Sequence, residues 1–314
     1  MTPVILVSEV GPRDGLQSIR SIMPLAAKKA WIAAEAAAGV REIEVGSFVP
    51  AKLLPQLADT ASVVEFARTI PGLHVAVLVP NLHGAEAAAR AGAHKMTIPL
   101  SASESNNLRN VRRTHAQMLE EIRAIAVMLG KLPAASRPLL EGGLSTAFGC
   151  TIEGDVPVEK VVALAEALMQ AGCDEIGLAD TVGYANPAQI RSVVRQVQAA
   201  VGARSVTSLH LHNTRGLGLA NVLAGLDVGI TTFDSSLGGL GGCPYSPGAS
   251  GNIVTEDLVF MLEAMGLDTG VDLQRLIQVR TIVRDALPNE PLYGHTPDAG
   301  LPLGFSSASQ AARQ

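Results

Sequence analysis

Short β-branched apolar runs alternate with longer Ala/Leu/Glu-rich stretches along almost the whole chain. The runs near residues 4–10, 41–47, 73–79, 94–100, 138–146, 174–180, 205–212 and 231–236 read as strands. The stretches between them read as helices, roughly 25–38, 56–69, 83–91, 113–130, 157–171, 187–201 and 216–228. Two more helices are predicted near 252–265 and 272–286. Eight βα units with an apolar sheet predict a closed parallel barrel. The competing doubly wound open sheet usually has a Gly-rich phosphate turn after its first strand, and Gly11-Pro12-Arg13-Asp14 is not that turn. Four strands are preceded by one phrase: Ala37-Ala38-Gly39-Val40, Arg90-Ala91-Gly92-Ala93, Gln170-Ala171-Gly172-Cys173 and Asp227-Val228-Gly229-Ile230. In each, a helix ends at a glycine able to take positive φ, and the chain re-enters the sheet. The expected fold is therefore an α/β (β/α)8 TIM barrel over residues 1–287, with extra C-terminal helices and a Gly-rich lid loop. A Pro/Gly/Ser-rich tail, 288–314, is expected to be loop, with Tyr293, Gly294, His295 and Phe305 packing over the barrel mouth.

Composition narrows the function classes. The chain has 314 residues, 17% of them charged, with a net charge of -5 and a mean hydropathy of +0.28. No stretch of about 18 uncharged apolar residues occurs, so no transmembrane helix is predicted. The acidic balance argues against a nucleic-acid binder. Three scattered cysteines, Cys150, Cys173 and Cys243, do not make a disulfide framework. No basic, apolar-cored leader precedes the first strand, which leads to the expectation of a cytoplasmic protein.

In such a barrel the chemistry sits at the C-terminal ends of the strands. The first strand delivers Arg13 and Asp14 there, in a turn set by Gly11, Pro12 and Gly15. The second delivers Glu44 and Ser47, the sixth Asp180 and Thr181, the seventh His210, His212 and Asn213, and the eighth Asp234, Ser235 and Ser236. Residues i and i+2 of a strand share a face, so His210 and His212 point together into the mouth. With Asp14 they form a facial site suited to a divalent ion of the Mn, Mg, Co or Zn group. The segment 237–252 carries six glycines between 238 and 251, with Cys243 among them. A thiol in a Gly-rich lid is more reactive than a core thiol and can shuttle a proton. Asn252 follows as either a helix N-cap or an amide oxygen for the metal. Lys95, Arg109, Arg112 and Arg113 are candidate partners for the phosphates of a ligand.

Taken together, these motifs closely resemble the 3-hydroxy-3-methylglutaryl-CoA lyase family of metal-dependent TIM-barrel lyases, from about residue 4 to about 286. The matches are Val10 to Gln17, Asp180-Thr181-Val182-Gly183, His210-Leu211-His212, and Gly239 to Tyr245 running on to Gly251-Asn252 and Thr255-Glu256-Asp257-Leu258. The resemblance implies metal ligation by Asp14, His210, His212 and Asn252, with Mg²⁺ or Mn²⁺ as the cofactor. It implies that Arg13 stabilises a thioester enolate, that Cys243 takes part in proton transfer, and that Glu44 and Asp180 act as acid/base or orienting groups. It implies an acyl-CoA substrate, retro-Claisen cleavage to acetyl-CoA and a keto acid, no nucleic-acid or membrane partner, and a homodimer or higher oligomer. The chain departs from the usual pattern at Arg20, at Asn106-Asn107-Leu108-Arg109, at Thr151-Ile152-Glu153 and at Asn213-Thr214-Arg215. These departures bear on the acyl and CoA region, so a citramalyl-CoA lyase is the rival reading. A Claisen-condensing synthase on the same barrel is the other. A long C-terminal regulatory region is usual in such synthases, and this chain instead carries the Gly-Gly-Cys-Pro-Tyr lid.

Overall fold

A computed structural model describes residues 5–241 and 251–308. Eight parallel strands, β1 (Leu6–Glu9), β2 (Glu42–Ser47), β3 (His74–Leu78), β4 (Lys95–Ser101), β5 (Leu139–Ser145), β6 (Glu175–Asp180), β7 (Val206–Leu211) and β8 (Thr232–Ser235), close in sequence order, with β8 pairing back on β1. Around them lie α1 (Leu25–Ala37), α2 (Thr60–Ala67), α3 (Leu82–Ala91), α4 (Glu104–Val111), α5 (His115–Leu129), α6 (Val158–Ala171), α7 (Pro187–Val201) and α8 (Gly218–Leu226). Then come α9 (Thr255–Ala264), α10 (Leu273–Ala286) and the short α11 (His295–Ala299). None of the described helices is long and apolar enough to cross a membrane.

The barrel has two chemically distinct faces. Ile43, Val45, Val75, Val77, Met96, Ile98, Leu140, Ile176, Leu178, Leu209, Leu211 and Phe233 are all buried and alternate along their strands, so they share the face that meets the helices. The positions between them, which face the barrel interior, are Glu42, Glu44, Thr97, Glu141, Gly143, Gly177, Ala179, Ser208, His210 and Asp234. The hydrophobic core is thus a sleeve between sheet and helices, and the interior is polar or small. The expected apolar sheet is apolar on one face only.

The four glycines at the repeated αβ turns, Gly39, Gly92, Gly172 and Gly229, all have positive φ, between 84 and 106°. At Gly39 the requirement is also steric, because a Cβ there would lie 2.2 Å from the Gly270 carbonyl oxygen. Two helices differ from expectation. Helix α4 carries only two apolar residues, the exposed Leu108 and the part-buried Val111, and buries only Asn107, so it has no apolar stripe to read. Its start is set by Ser103, whose hydroxyl accepts from the Asn106 amide at 3.1 Å. Helix α11 lies in the stretch expected to be loop, fixed by the Asp257 carboxylate, which accepts from the amides of His295 and Thr296. The Tyr293 amide donates to the Gly238 carbonyl just past β8 at 2.6 Å, with its side chain exposed, whereas Phe305 packs on Phe260 of α9.

Candidate functional site

Past Glu9 the chain makes one wide helical turn of π type, Gly11–Gly15. Such turns recur at functional sites, and this one presents Arg13 and Asp14 to the barrel mouth. Arg13 donates through Nε to Glu44 Oε2 at 2.5 Å and through Nη1 to Asp14 Oδ1 at 2.6 Å. Its Nη2 has no hydrogen bond among the described residues. Gln17 holds Asp14 Oδ1 from the other side at 2.8 Å. The second oxygen, Asp14 Oδ2, stands 3.8 Å from His210 Nε2 and 3.9 Å from His212 Nε2. The two Nε2 atoms are 3.1 Å apart.

Asn252 is not a helix cap. Residues 251–254 run back alongside the ends of β7 and β8, with His212 bridged to Asn252 and Ser236 to Val254, and α9 starts only at Thr255. That course brings the Asn252 amide against Asp14, where its Nδ2 donates to Asp14 Oδ2 at 2.6 Å. Among the described residues the buried Asn252 Oδ1 has no hydrogen-bond partner, nor do Glu44 Oε1 and His212 Nδ1.

This donor set fits a divalent cation. Ligand atoms of Asp14, His210 and His212 all lie within 4.8 Å of one another, and the orphaned Asn252 oxygen is a candidate fourth. A buried amide oxygen without a partner is costly, and a cation would satisfy it. Two imidazole Nε2 atoms at 3.1 Å cannot both turn lone pairs on each other, so either one carries its tautomeric proton or a metal ion lies between them. Burial disfavours charge on His210, but Asp234 and Asp14 outweigh it and raise that imidazole. His212, buried beside a charged His210, is pushed down to about 4. Burial likewise opposes ionisation of Asp14, yet Arg13 and the two histidines hold it well below the usual carboxylate range. Glu44 is raised, by burial first and also by Asp234, against the pull of Arg13.

Two residues fall outside this cluster. Asp180 is paired in register with Leu211, on the helix-facing side of the sheet, while its neighbour Ala179 pairs with His210. Its oxygens accept from the amides of Tyr184 at 2.8 Å and Ala185 at 3.1 Å, so it caps the loop after β6. Burial raises it to about 6. Cys243 lies outside the described residues. Lys95 corrects an expectation: it opens β4 at the opposite, N-terminal end of the barrel. It is buried against Glu141, 2.9 Å from Glu175 and 3.7 Å from Glu42, so it is no phosphate ligand. Arg113 pairs with Glu121 at 3.4 Å.

Asp234 is a functional neighbour to which sequence reasoning assigned no role. Its Oδ2 stands 3.0 Å from His210 Nδ1, which fixes the ring so that Nε2 faces Asp14. The signal was available in the pairing, since Asp234 sits beside His210 on the inward face of β8.

Fold and site together define a barrel enzyme with a candidate metal site beside a buried arginine at its C-terminal mouth. The HMGL-like family model matches residues 4–283. The chain is 40% identical over 283 residues to the hydroxymethylglutaryl-CoA lyase of Bacillus subtilis, covering 90% of this chain and 93% of the relative. It is also 40% identical over 285 residues to the mitochondrial enzyme of Gallus gallus, with 90% and 93% covered. A solved HMG-CoA lyase from Acinetobacter baumannii, in complex with coenzyme A and 3-methylmalate, superposes with a TM-score of 0.89 at 40% identity, covering 98% of this chain and 99% of that one. The chain belongs to the HMGL-like family and is a carbon–carbon lyase of that metal-dependent family. These relatives do not favour the citramalyl-CoA or condensing-synthase readings.

Proposed function

We propose that this chain cleaves 3-hydroxy-3-methylglutaryl-CoA, or a closely similar thioester, between C2 and C3 to give acetyl-CoA and acetoacetate. The observation that carries the reading is the convergence of Asp14, His210 and His212 with the orphaned Asn252 oxygen, next to Arg13. Asp14, His210, His212 and Asn252 would hold Mg²⁺ or Mn²⁺, which when bound supplies Lewis acidity toward the C3 hydroxyl and its neighbouring carboxylate. The hydroxyl proton passes to a base, the C2–C3 bond breaks, a ketone forms at C3, and the electron pair moves into the thioester enolate. Glu44 is the best-placed base, because its Oε1 is uncommitted and its carboxyl is raised. Arg13, with Nε and Nη1 fixed, turns Nη2 to the enolate oxygen. A preorganised donor of this kind contributes about 3–4 kcal/mol to the transition state. Cys243 is the proposed donor of the proton to C2, completing acetyl-CoA. Asp180 orients the loop after β6 at the edge of the site.

The acyl-CoA class is supported by the coenzyme A bound in the Acinetobacter baumannii relative. A homodimeric, cytoplasmic enzyme is part of the same proposal. The test is a panel of 3-hydroxyacyl-CoA thioesters with Mg²⁺ or Mn²⁺, with products identified by mass. Acetyl-CoA and acetoacetate in equal amounts from the C6 thioester are expected. Pyruvate from citramalyl-CoA at a higher kcat/KM would overturn the acyl assignment, and failure of every thioester would overturn the reaction.

A further inference from the structure

We propose that Glu9 is a positioning residue for this lyase: its carboxyl joins the turn bearing Arg13 and Asp14 to the segments that bear Asp234 and Asn252. The inference rests on the proposed reaction for its kinetic arm only.

Glu9 points the wrong way for chemistry. In register it pairs with Ile43 and Ser235, so its side chain leaves the sheet on the helix side, in the hydrophobic sleeve, fully buried. Burying a carboxyl there is costly unless it is well bonded. Its bonds go to three separate segments. Glu9 Oε1 accepts from the Gly11 amide at 2.7 Å, where the Arg13 turn starts, and from the Leu237 amide at 3.0 Å, just past β8. Glu9 Oε2 accepts from the Thr255 hydroxyl at 2.6 Å, three residues after Asn252. One carboxyl therefore touches the chain next to each of three groups: Asp14, Asp234 and Asn252.

The backbones it joins are packed too closely to tolerate slack. A Cβ on Gly11 would lie 2.5 Å from Glu9 Oε1. A Cβ on Gly241 would lie 2.6 Å from the Gly15 carbonyl oxygen. Both ends of the turn are thus seated against neighbours at glycine-only distance, and Glu9 supplies the polar link at the Gly11 end. Burial pushes the Glu9 carboxyl up to about 8, against the hydrogen bonds from Thr255, Leu237 and Gly11, so a neutral amide is a close mimic of it near neutrality. Glutamine keeps the Oε1 acceptor for the Gly11 and Leu237 amides and places an NH2 group opposite the Thr255 hydroxyl, which can accept from it, whereas leucine lacks both links.

The experiment compares Glu9→Leu, Glu9→Gln and Thr255→Val by three readouts: amide hydrogen exchange at Gly11 and Leu237, Mn²⁺ affinity of the metal-free protein, and kcat against KM. Glu9→Leu is expected to lose exchange protection at both amides. It should weaken Mn²⁺ about tenfold, as loss of an outer-shell support does. It should lower kcat about 100-fold with KM within about twofold, as a small misplacement of catalytic groups does. Glu9→Gln is expected to restore all three to within about threefold. Thr255→Val, which keeps the side-chain shape and removes only the hydroxyl, is expected to lower kcat about fivefold at unchanged KM, and it decides the matter if Glu9→Leu does not fold. Wild-type Mn²⁺ affinity and kcat in a folded Glu9→Leu, or a Glu9→Gln as impaired as Glu9→Leu, would overturn the proposal. So would a Thr255→Val indistinguishable from wild type. The exchange and Mn²⁺ readouts need no substrate, so they test Glu9 even if the thioester assignment fails.

Discussion

The barrel buries two charge clusters, one at each end, and they are built differently. At the N-terminal end Lys95 sits among Glu42, Glu141 and Glu175, and His74 closes on Glu42 at 2.8 Å. The charges there find their partners in one another: even Glu141 Oε2, which makes no hydrogen bond, lies against the Lys95 ammonium. At the C-terminal mouth Arg13, Asp14, Glu44, His210, His212 and Asp234 are just as buried and just as close, yet among the described residues Asn252 Oδ1, Glu44 Oε1 and His212 Nδ1 have no hydrogen-bond partner. A closed cluster holds a fold together, whereas an open one is complete only with something bound. Proximity of charges alone does not separate the two; the account of lone pairs does.

Substitutions should divide along the same line. The largest effect expected is at the mouth. Arg13→Gln should lower kcat per folded molecule about 10³-fold with KM little changed. A kcat within tenfold of wild type would remove Arg13 from enolate stabilisation. At the base, Lys95→Met should do the reverse. It leaves buried carboxylates unpaired and should cost about 3–5 kcal/mol in denaturant unfolding, with kcat per folded molecule unchanged. A loss of kcat there would mean that the two ends are coupled. Smaller still, Asp234→Asn should weaken metal binding about 10-fold to 100-fold, because it releases the His210 ring, and calorimetric titration with Mn²⁺ would show it. The smallest effect is in pH dependence. Burial opposes ionisation of Glu42, but Lys95 and His74 hold its carboxyl down at about 2. Its folded pKa lies below the unfolded one, so its contribution is complete above about pH 4.5 and is lost as the pH falls toward about 2. Glu42→Gln should flatten the fall in unfolding free energy over that window, and an unchanged slope would exclude Glu42 as a source of acid sensitivity.

The contrast also shows what a sequence can carry. The barrel was legible because eight β-branched runs and four glycine turns repeat one unit, and each glycine occupies the positive-φ position that unit requires. His210 and His212 were legible because a strand's two-residue period puts them on one face. Helix α4 was not, because Ser103, Glu104, Asn106 and Asn107 form it through a cap and a buried amide, with no apolar period. The place of Asn252 depends on a return of the chain beside β7, which no local signal encodes. Lys95 was misassigned against a signal the sequence does carry: the strand read at 94–100 already puts it at the N-terminal start, away from the mouth, and β4 opens there. Asp180 and Glu9 carry a subtler lesson: both are strand-end acids in or beside matched motifs, and both face the helices.

The most direct test of the open-cluster account is Mn²⁺ titration of the metal-free protein and two variants, read by calorimetry. One ion per chain is expected in the wild type, retained in Lys95→Met and lost in His212→Ala. Undiminished binding in His212→Ala, or binding that disappears in Lys95→Met while the fold persists, would contradict it.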